Sequence, residues 1–195
     1  MQQHRVAIFA SGTGSNAVNI IETFREAGYP VSFRILSNRQ NAPVLERARE
    51  LDVPAFCFTA YELAYTDKVR DYLREEKVDF IVLAGFMLKV PAPIVAAYPQ
   101  QVINIHPALL PKFGGQGMYG ERVHRAVLKA GETESGITIH HVNEEYDQGA
   151  TIFQASCPVH EGDTPETLAR RVQELEHEHY PRVLRRLLKL DESYS

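Results

Sequence analysis

The sequence predicts a three-layer α/β fold, a mostly parallel sheet with helices on both faces, and three observations carry the prediction. Short apolar runs alternate with amphipathic segments through the first hundred residues, and strands alternating with helices imply right-handed crossovers and parallel neighbours. A glycine-rich turn, "SGTGSNA" at 11–17, joins the first apolar run to the first amphipathic segment. The fifth run, "QVINIH" at 101–106, carries polar side chains at two successive positions of one face near its end. A parallel strand buried on both faces should be apolar throughout, so those residues mark a cleft.

Each element has a local reason. The run Val6-Ala7-Ile8-Phe9 gives a strand near 5–10, and the glycine turn opens a helix near 15–27. That helix closes at "REAGYP", with Gly28 as its C-terminal cap and Pro30 beyond. Strands near 31–37, 54–58, 79–84 and 102–106 follow, separated by helices near 42–51, 64–77 and 91–98. The second half changes character: a helix at 120–130, strands near 135–143 and 150–158, then a long helix from about 164. Thr164 caps that helix with Pro165 at its first position, and Leu168, Val172 and Leu175 fall on one face. Pro181 is expected to disturb it, because proline lacks the N–H that a helix interior requires. With no repeat or linker, residues 1–195 read as a single domain, a nucleotide-binding-like half of about 1–100 followed by a half of about 101–195.

Bulk properties narrow the class. The chain has 195 residues, 44% hydrophobic and 24% charged, with a formal net charge of −4. That balance offers no broad attraction to nucleic acid or anionic membranes. Two distant cysteines, Cys57 and Cys157, fit a reduced compartment. The N-terminus lacks the apolar core of a signal peptide, and no run approaches the ~20 apolar residues of a membrane span. A cytoplasmic protein acting on small molecules is expected.

Gly12, Gly14 and Ala17 fit the G-x-G-x-x-G/A pattern, which bares backbone N–H groups at a helix start and so suits any phosphate. A nicotinamide dinucleotide also wants an acidic residue about 20 residues on. The second strand ends instead in Ser37, Asn38 and Arg39, which leaves only an NADP reading open. In the fifth strand, alternation puts Val102, Asn104 and His106 on one face. An amide can donate to a developing oxyanion and an imidazole can move a proton near neutral pH. No nucleophile elbow or cysteine dyad accompanies them, so direct group transfer or hydrolysis is favoured over a covalent acyl-enzyme. The acidic turn at 144–147 supplies Glu144, Glu145 and Asp147, and spacing does not select which of them reaches His106. Eight histidines provide no metal set: His177 and His179 lie ~200° apart on a helix, and His140 and His141 point to opposite strand faces. His4, His124 and His160 have surface or capping explanations, so no metal is expected.

Taken in order, "FASGTGSN", "ILSNR", "LAGFM", "NIHPALLP", "SGITIHHV", "YDQG" and "QELEHEHYP" resemble the phosphoribosylglycinamide formyltransferase family, over about residues 5–185. The resemblance implies a Rossmann-like sheet of seven strands, and formyl transfer from 10-formyltetrahydrofolate to the amine of 5′-phosphoribosylglycinamide in purine biosynthesis. It assigns catalysis to Asn104, His106 and Asp147, with Asp147 raising the pKa of a protonated His106. It gives the substrate to Gly14, Ser15, Asn16, Gln173 and Glu176, and the folate to Met87, Leu88, Lys89, Val90 and Asn104. His140 is a supporting residue, and the half at 101–195 becomes the catalytic and folate half. A cis Leu110-Pro111 bond and a monomer or homodimer are also implied. Rivals on the same scaffold are a formyltetrahydrofolate hydrolase and formyltransferases acting on methionyl-tRNA or an amino sugar; the hydrolases are expected to carry an added N-terminal domain and the tRNA enzymes an added C-terminal domain, for which this chain is expected to have no room. The chain departs from some relatives at "GGQGMYG", 114–120, so Met118 and Tyr119 are not assigned to the site.

Overall fold

The computed structural model describes residues 3–143 and 147–190. Seven strands form one sheet: β1 (His4–Phe9), β2 (Val31–Ser37), β3 (Ala55–Cys57), β4 (Phe80–Leu83), β5 (Val102–His106), β6 (Glu134–His141) and β7 (Thr151–Pro158). Their order is β3-β2-β1-β4-β5-β6-β7. The first four pairings are parallel, while β6 runs antiparallel to β5 and β7 antiparallel to β6. The chain winds outward from β1 to β3, then returns to the other side of β1 with β4. Strand order therefore reverses between β1 and β4, the place where open α/β sheets hold ligands beyond the carboxyl ends of their strands.

Alternation along the strands feeds two cores. Val6, Ile8, Val82, Ile103 and Ile105 pack beneath α1 (Ser15–Glu26), α2 (Pro43–Glu50), α6 (Glu121–Lys129) and α7 (Pro165–Leu187). Ala7, Phe9, Ile81, Leu83 and Val102 pack against α3 (Ala60–Tyr65), α4 (Lys68–Glu75) and α5 (Ala92–Ala97). The expected strands and helices are present within one or two residues of their predicted bounds, with two corrections.

The helix predicted over 64–77 is two helices, broken where Thr66 turns extended (φ −132°, ψ 166°). The first begins earlier, at a capping box: Thr59 Oγ1 accepts from the Glu62 N–H, and Glu62 accepts from the Thr59 N–H. The second correction concerns Pro181, which does not interrupt α7. Proline leaves the carbonyl of His177 without its helical donor. Asn19 of α1 supplies the replacement, its Nδ2 donating to that carbonyl at 2.8 Å. Tyr180 next door, fully buried, donates its hydroxyl to the Leu83 carbonyl at 2.8 Å, tying α7 to the end of β4.

Candidate functional site

One cleft of about 700 Å³ lies over the carboxyl ends of β1, β4 and β5 and brings together every residue assigned to the site from the sequence. Glu144 and Glu145 lie outside the described residues.

Its first wall is the start of α1. Gly14 caps that helix in the left-handed region (φ 72°) with no side chain covering the first turn. A Cβ there would also come within 2.2 Å of Val44 Cγ2, so both backbone and space demand glycine. The first-turn N–H groups therefore face the cleft without a side-chain cap, at the positive end of a 12-residue helix. Helix α7 runs alongside α1 and supplies side chains to the same wall. Gln173 Nε2 donates to Ser15 Oγ at 3.0 Å, and Asn16 Nδ2 donates to Glu176 Oε2 at 2.7 Å. Burial pushes the Glu176 carboxyl above its ordinary range, and the Asn16 bond only partly offsets that. Asn16 Oδ1 is buried without a partner, an acceptor available to a ligand.

Asn104 and His106 share a face of β5, as alternation requires, and the antiparallel register sets His140 opposite Asn104 and Thr138 opposite His106. Asn104 Nδ2 donates to His140 Nε2 at 3.2 Å, and His140 Nδ1 in turn donates to the His141 carbonyl at 2.9 Å. One N–H of the Asn104 amide remains for the cleft. Asp147 stands between the two imidazoles, Oδ2 3.6 Å from His106 Nδ1 and Oδ1 3.5 Å from His140 Nε2. The Gly115 N–H also donates to Asp147 Oδ2 at 3.0 Å. Burial raises the Asp147 pKa, but His140, His106 and the Gly115 N–H together outweigh it and leave the carboxyl below its ordinary range.

His106 corrects the sequence expectation. Asp147 and the Phe113 carbonyl do favour its charged form, yet burial is the larger effect and holds the imidazole below the usual histidine range. Its Nε2 donates to the Phe113 carbonyl at 2.8 Å. Phe113 is positioned by the preceding turn. Thr138 Oγ1 donates to the Ala108 carbonyl at 2.7 Å and accepts from the Leu110 N–H at 2.9 Å, just before the cis Leu110-Pro111 bond.

The segment Met87–Val90 forms the opposite wall. Ser11, buried at the end of β1, fixes its start, accepting from the Met87 N–H at 3.0 Å while donating to Asn38 Oδ1 at 2.6 Å. Val90 is largely absorbed by the second core, whereas Met87 is 36% exposed. Sequence reasoning missed three contributors. Met118 and Tyr119 line the cleft, and so does His124, which is only 5% exposed with an unpartnered Nδ1 rather than a surface group. The signal for His124 was its place beside Val123 and Val127 on the inner side of α6. Among the described residues, no group of three His, Cys, Asp or Glu side chains is arranged to hold a metal ion, and no helix is long and apolar enough to cross a membrane.

Residues 4–184 match the family model described as formyl transferase. The chain belongs to the formyl transferase family. Formyl transferases of this family use formyl-tetrahydrofolate as co-substrate. Among similar proteins, the chloroplastic phosphoribosylglycinamide formyltransferase of Arabidopsis thaliana is 40% identical over 189 residues, which is 94% of this chain. This chain spans 65% of that protein's length and 62% of the corresponding protein of Vigna unguiculata. The phosphoribosylglycinamide formyltransferase of Bacillus subtilis is 37% identical over 192 residues, 96% of each chain. Among solved structures, glycinamide ribonucleotide transformylase 1 from Geobacillus kaustophilus matches with a TM-score of 0.87 at 35% identity, over 96% of this chain and all of the other.

Proposed function

We infer that this formyl transferase moves the formyl group of 10-formyltetrahydrofolate to the amine of 5′-phosphoribosylglycinamide. The carrying observation is that Asn104, His106 and Asp147 converge in the same cleft as the uncapped start of α1. An oxyanion site and an anion site at the two ends of one cleft suit a phosphorylated acceptor whose amine must reach an acyl carbon.

In this reading the phosphate lies on Gly14, Ser15 and Asn16, while Gln173 and Glu176 hold the ribose and amine end. The folate lies along Met87, Leu88, Lys89 and Val90, with Asn104 at the formyl group. The amine lone pair forms the new C–N bond, and the formyl oxygen gathers charge. The free N–H of Asn104 and the Nε2–H of His106, turned from the Phe113 carbonyl, stabilise that oxygen. Water carries the amine's surplus proton to His106 Nδ1, the ring's free nitrogen, where Asp147 stabilises the imidazolium as it forms. Collapse breaks the bond from carbon to folate N10, and the proton passes to N10. His140 positions Asn104. Binding two substrates in one geometry supplies the remainder of the rate enhancement.

We also propose that residues 1–195 act as one formyltransferase unit, that the reaction needs no metal, and that the chain works in the cytoplasm as a monomer or homodimer. The decisive experiment incubates purified protein with 10-formyltetrahydrofolate and compares glycinamide ribonucleotide with water as acceptor. Formation of tetrahydrofolate and formylated product only with the ribonucleotide is expected. Formate release independent of acceptor would make the protein a hydrolase, and retained NADP without formyl transfer would restore the dinucleotide reading.

A further inference from the structure

The two helices that build the phosphate end run in the same direction. Ser15 pairs with Gln173, Asn16 with Glu176 and Asn19 with the His177 carbonyl, so both sequences advance together. A helix rises about 1.5 Å per residue. Arg170, one turn before Gln173, therefore projects about 4.5 Å beyond the first residue of α1, into the space in front of its free N–H groups. It lines the cleft.

The charge of Arg170 is uncommitted. Its neighbour Arg171 is fully engaged, with both nitrogens on Asp163 at 2.8 and 3.0 Å and one also on the Pro158 carbonyl. Arg170 takes part in no ion pair among the described residues. Glu166, one turn further back, is engaged at the start of its own helix, where the Thr164 bond lowers its pKa. Asn16 Oδ1, unpartnered on a side chain 8% exposed that also lines the cleft, is an acceptor suited to a hydroxyl or amine of the same ligand rather than to its phosphate.

We propose that Arg170 is a specificity-determining residue for the acceptor's phosphate: its guanidinium closes over the phosphate from α7 while the N–H groups of α1 hold it from below. The proposal rests on the acceptor reading given above. Arginine suits the task, because its planar fork matches two phosphate oxygens at once. An exposed guanidinium also makes the contribution sensitive to salt.

The test compares Arg170→Gln and Arg170→Lys with the parent chain, using glycinamide ribonucleotide, its dephosphorylated riboside and inorganic phosphate as inhibitor. Arg170→Gln is expected to raise the KM for the ribonucleotide about tenfold, equivalent to about 1.4 kcal/mol, with a much smaller effect on kcat. The inhibition constant of phosphate should weaken in step, and the riboside and folate KM values should not move. Arg170→Lys should recover part of the loss, and the parent should lose its advantage over Arg170→Gln as salt is raised. Equal losses for ribonucleotide and riboside would overturn the proposal, as would an effect on folate KM alone or no effect at all. If the parent transfers no formyl group to the ribonucleotide, the acceptor reading fails instead. Phosphate binding to parent and variant, followed by ³¹P NMR, then decides the role of Arg170 separately.

Discussion

Replacing Asp147 by Asn removes one negative charge and keeps the side-chain volume, so it isolates what that charge does. Its Oδ2 lies 3.6 Å from His106 Nδ1 in a mostly buried setting. Two unit charges about 4 Å apart at an effective dielectric of about 20 interact by about 4 kcal/mol. Mobile water in the open cleft and the remaining dipole of the amide reduce the loss, and about 3 to 4 kcal/mol corresponds to a 10²- to 10³-fold fall in turnover. The pH dependence adds a signature with a definite sign. Asp147 is one of the two influences raising the pKa of His106 against burial, so its removal lets that pKa fall further. The assay is the initial rate of tetrahydrofolate formation across pH, with histidine ¹H–¹³C NMR titration of His106 and urea unfolding to verify the fold. A folded Asp147→Asn protein within threefold of the parent, with His106 titrating unchanged, would refute the electrostatic role.

Gly14→Ala forces a side chain into a left-handed turn and into Val44, so the KM for the phosphorylated acceptor should rise well above any change in folate KM, read by paired saturation curves. Glu176→Gln should stabilise the protein while impairing transfer. The Glu176 pKa is raised in the folded state, so its ionisation opposes folding above the unfolded carboxylate pKa. The gain in Tm should be absent below about pH 4, grow as pH rises from there to the folded value and level off above it. Asn19→Ala deprives the half-buried His177 carbonyl of its donor and should cost about 1 kcal/mol in urea unfolding. In a Pro181→Ala background the restored N–H should remove most of that cost, and simple additivity of the two changes would contradict the substitution account.

What the sequence revealed and what it concealed follow from the range of the interactions involved. The strands, most helices and the Asn104–His106 face were legible because period-two and helical patterns are local. The Thr59–Glu62 box was equally local, and overlooking it delayed the helix start from Ala60 to residue 64. Pro181 misled because its compensation comes from Asn19, 162 positions away. The choice of Asp147 among three acids rested on resemblance, since only the folded chain brings it between His106 and His140. The net shift at His106 was hidden for a related reason: a neighbouring carboxylate can be guessed from a motif, but the burial that outweighs it belongs to the packed structure.

The parallel seam between α1 and α7 also bears on how the protein is made. Its contacts join residues 158 and 160 positions apart, and its second half lies beyond all seven strands in the chain. A nascent chain that has laid down the entire sheet still lacks the far wall of its anion pocket. If the acceptor is held between α1 and α7 as proposed, its binding favours molecules whose last helix has docked, by about 2.7 kcal/mol at a hundred times its dissociation constant.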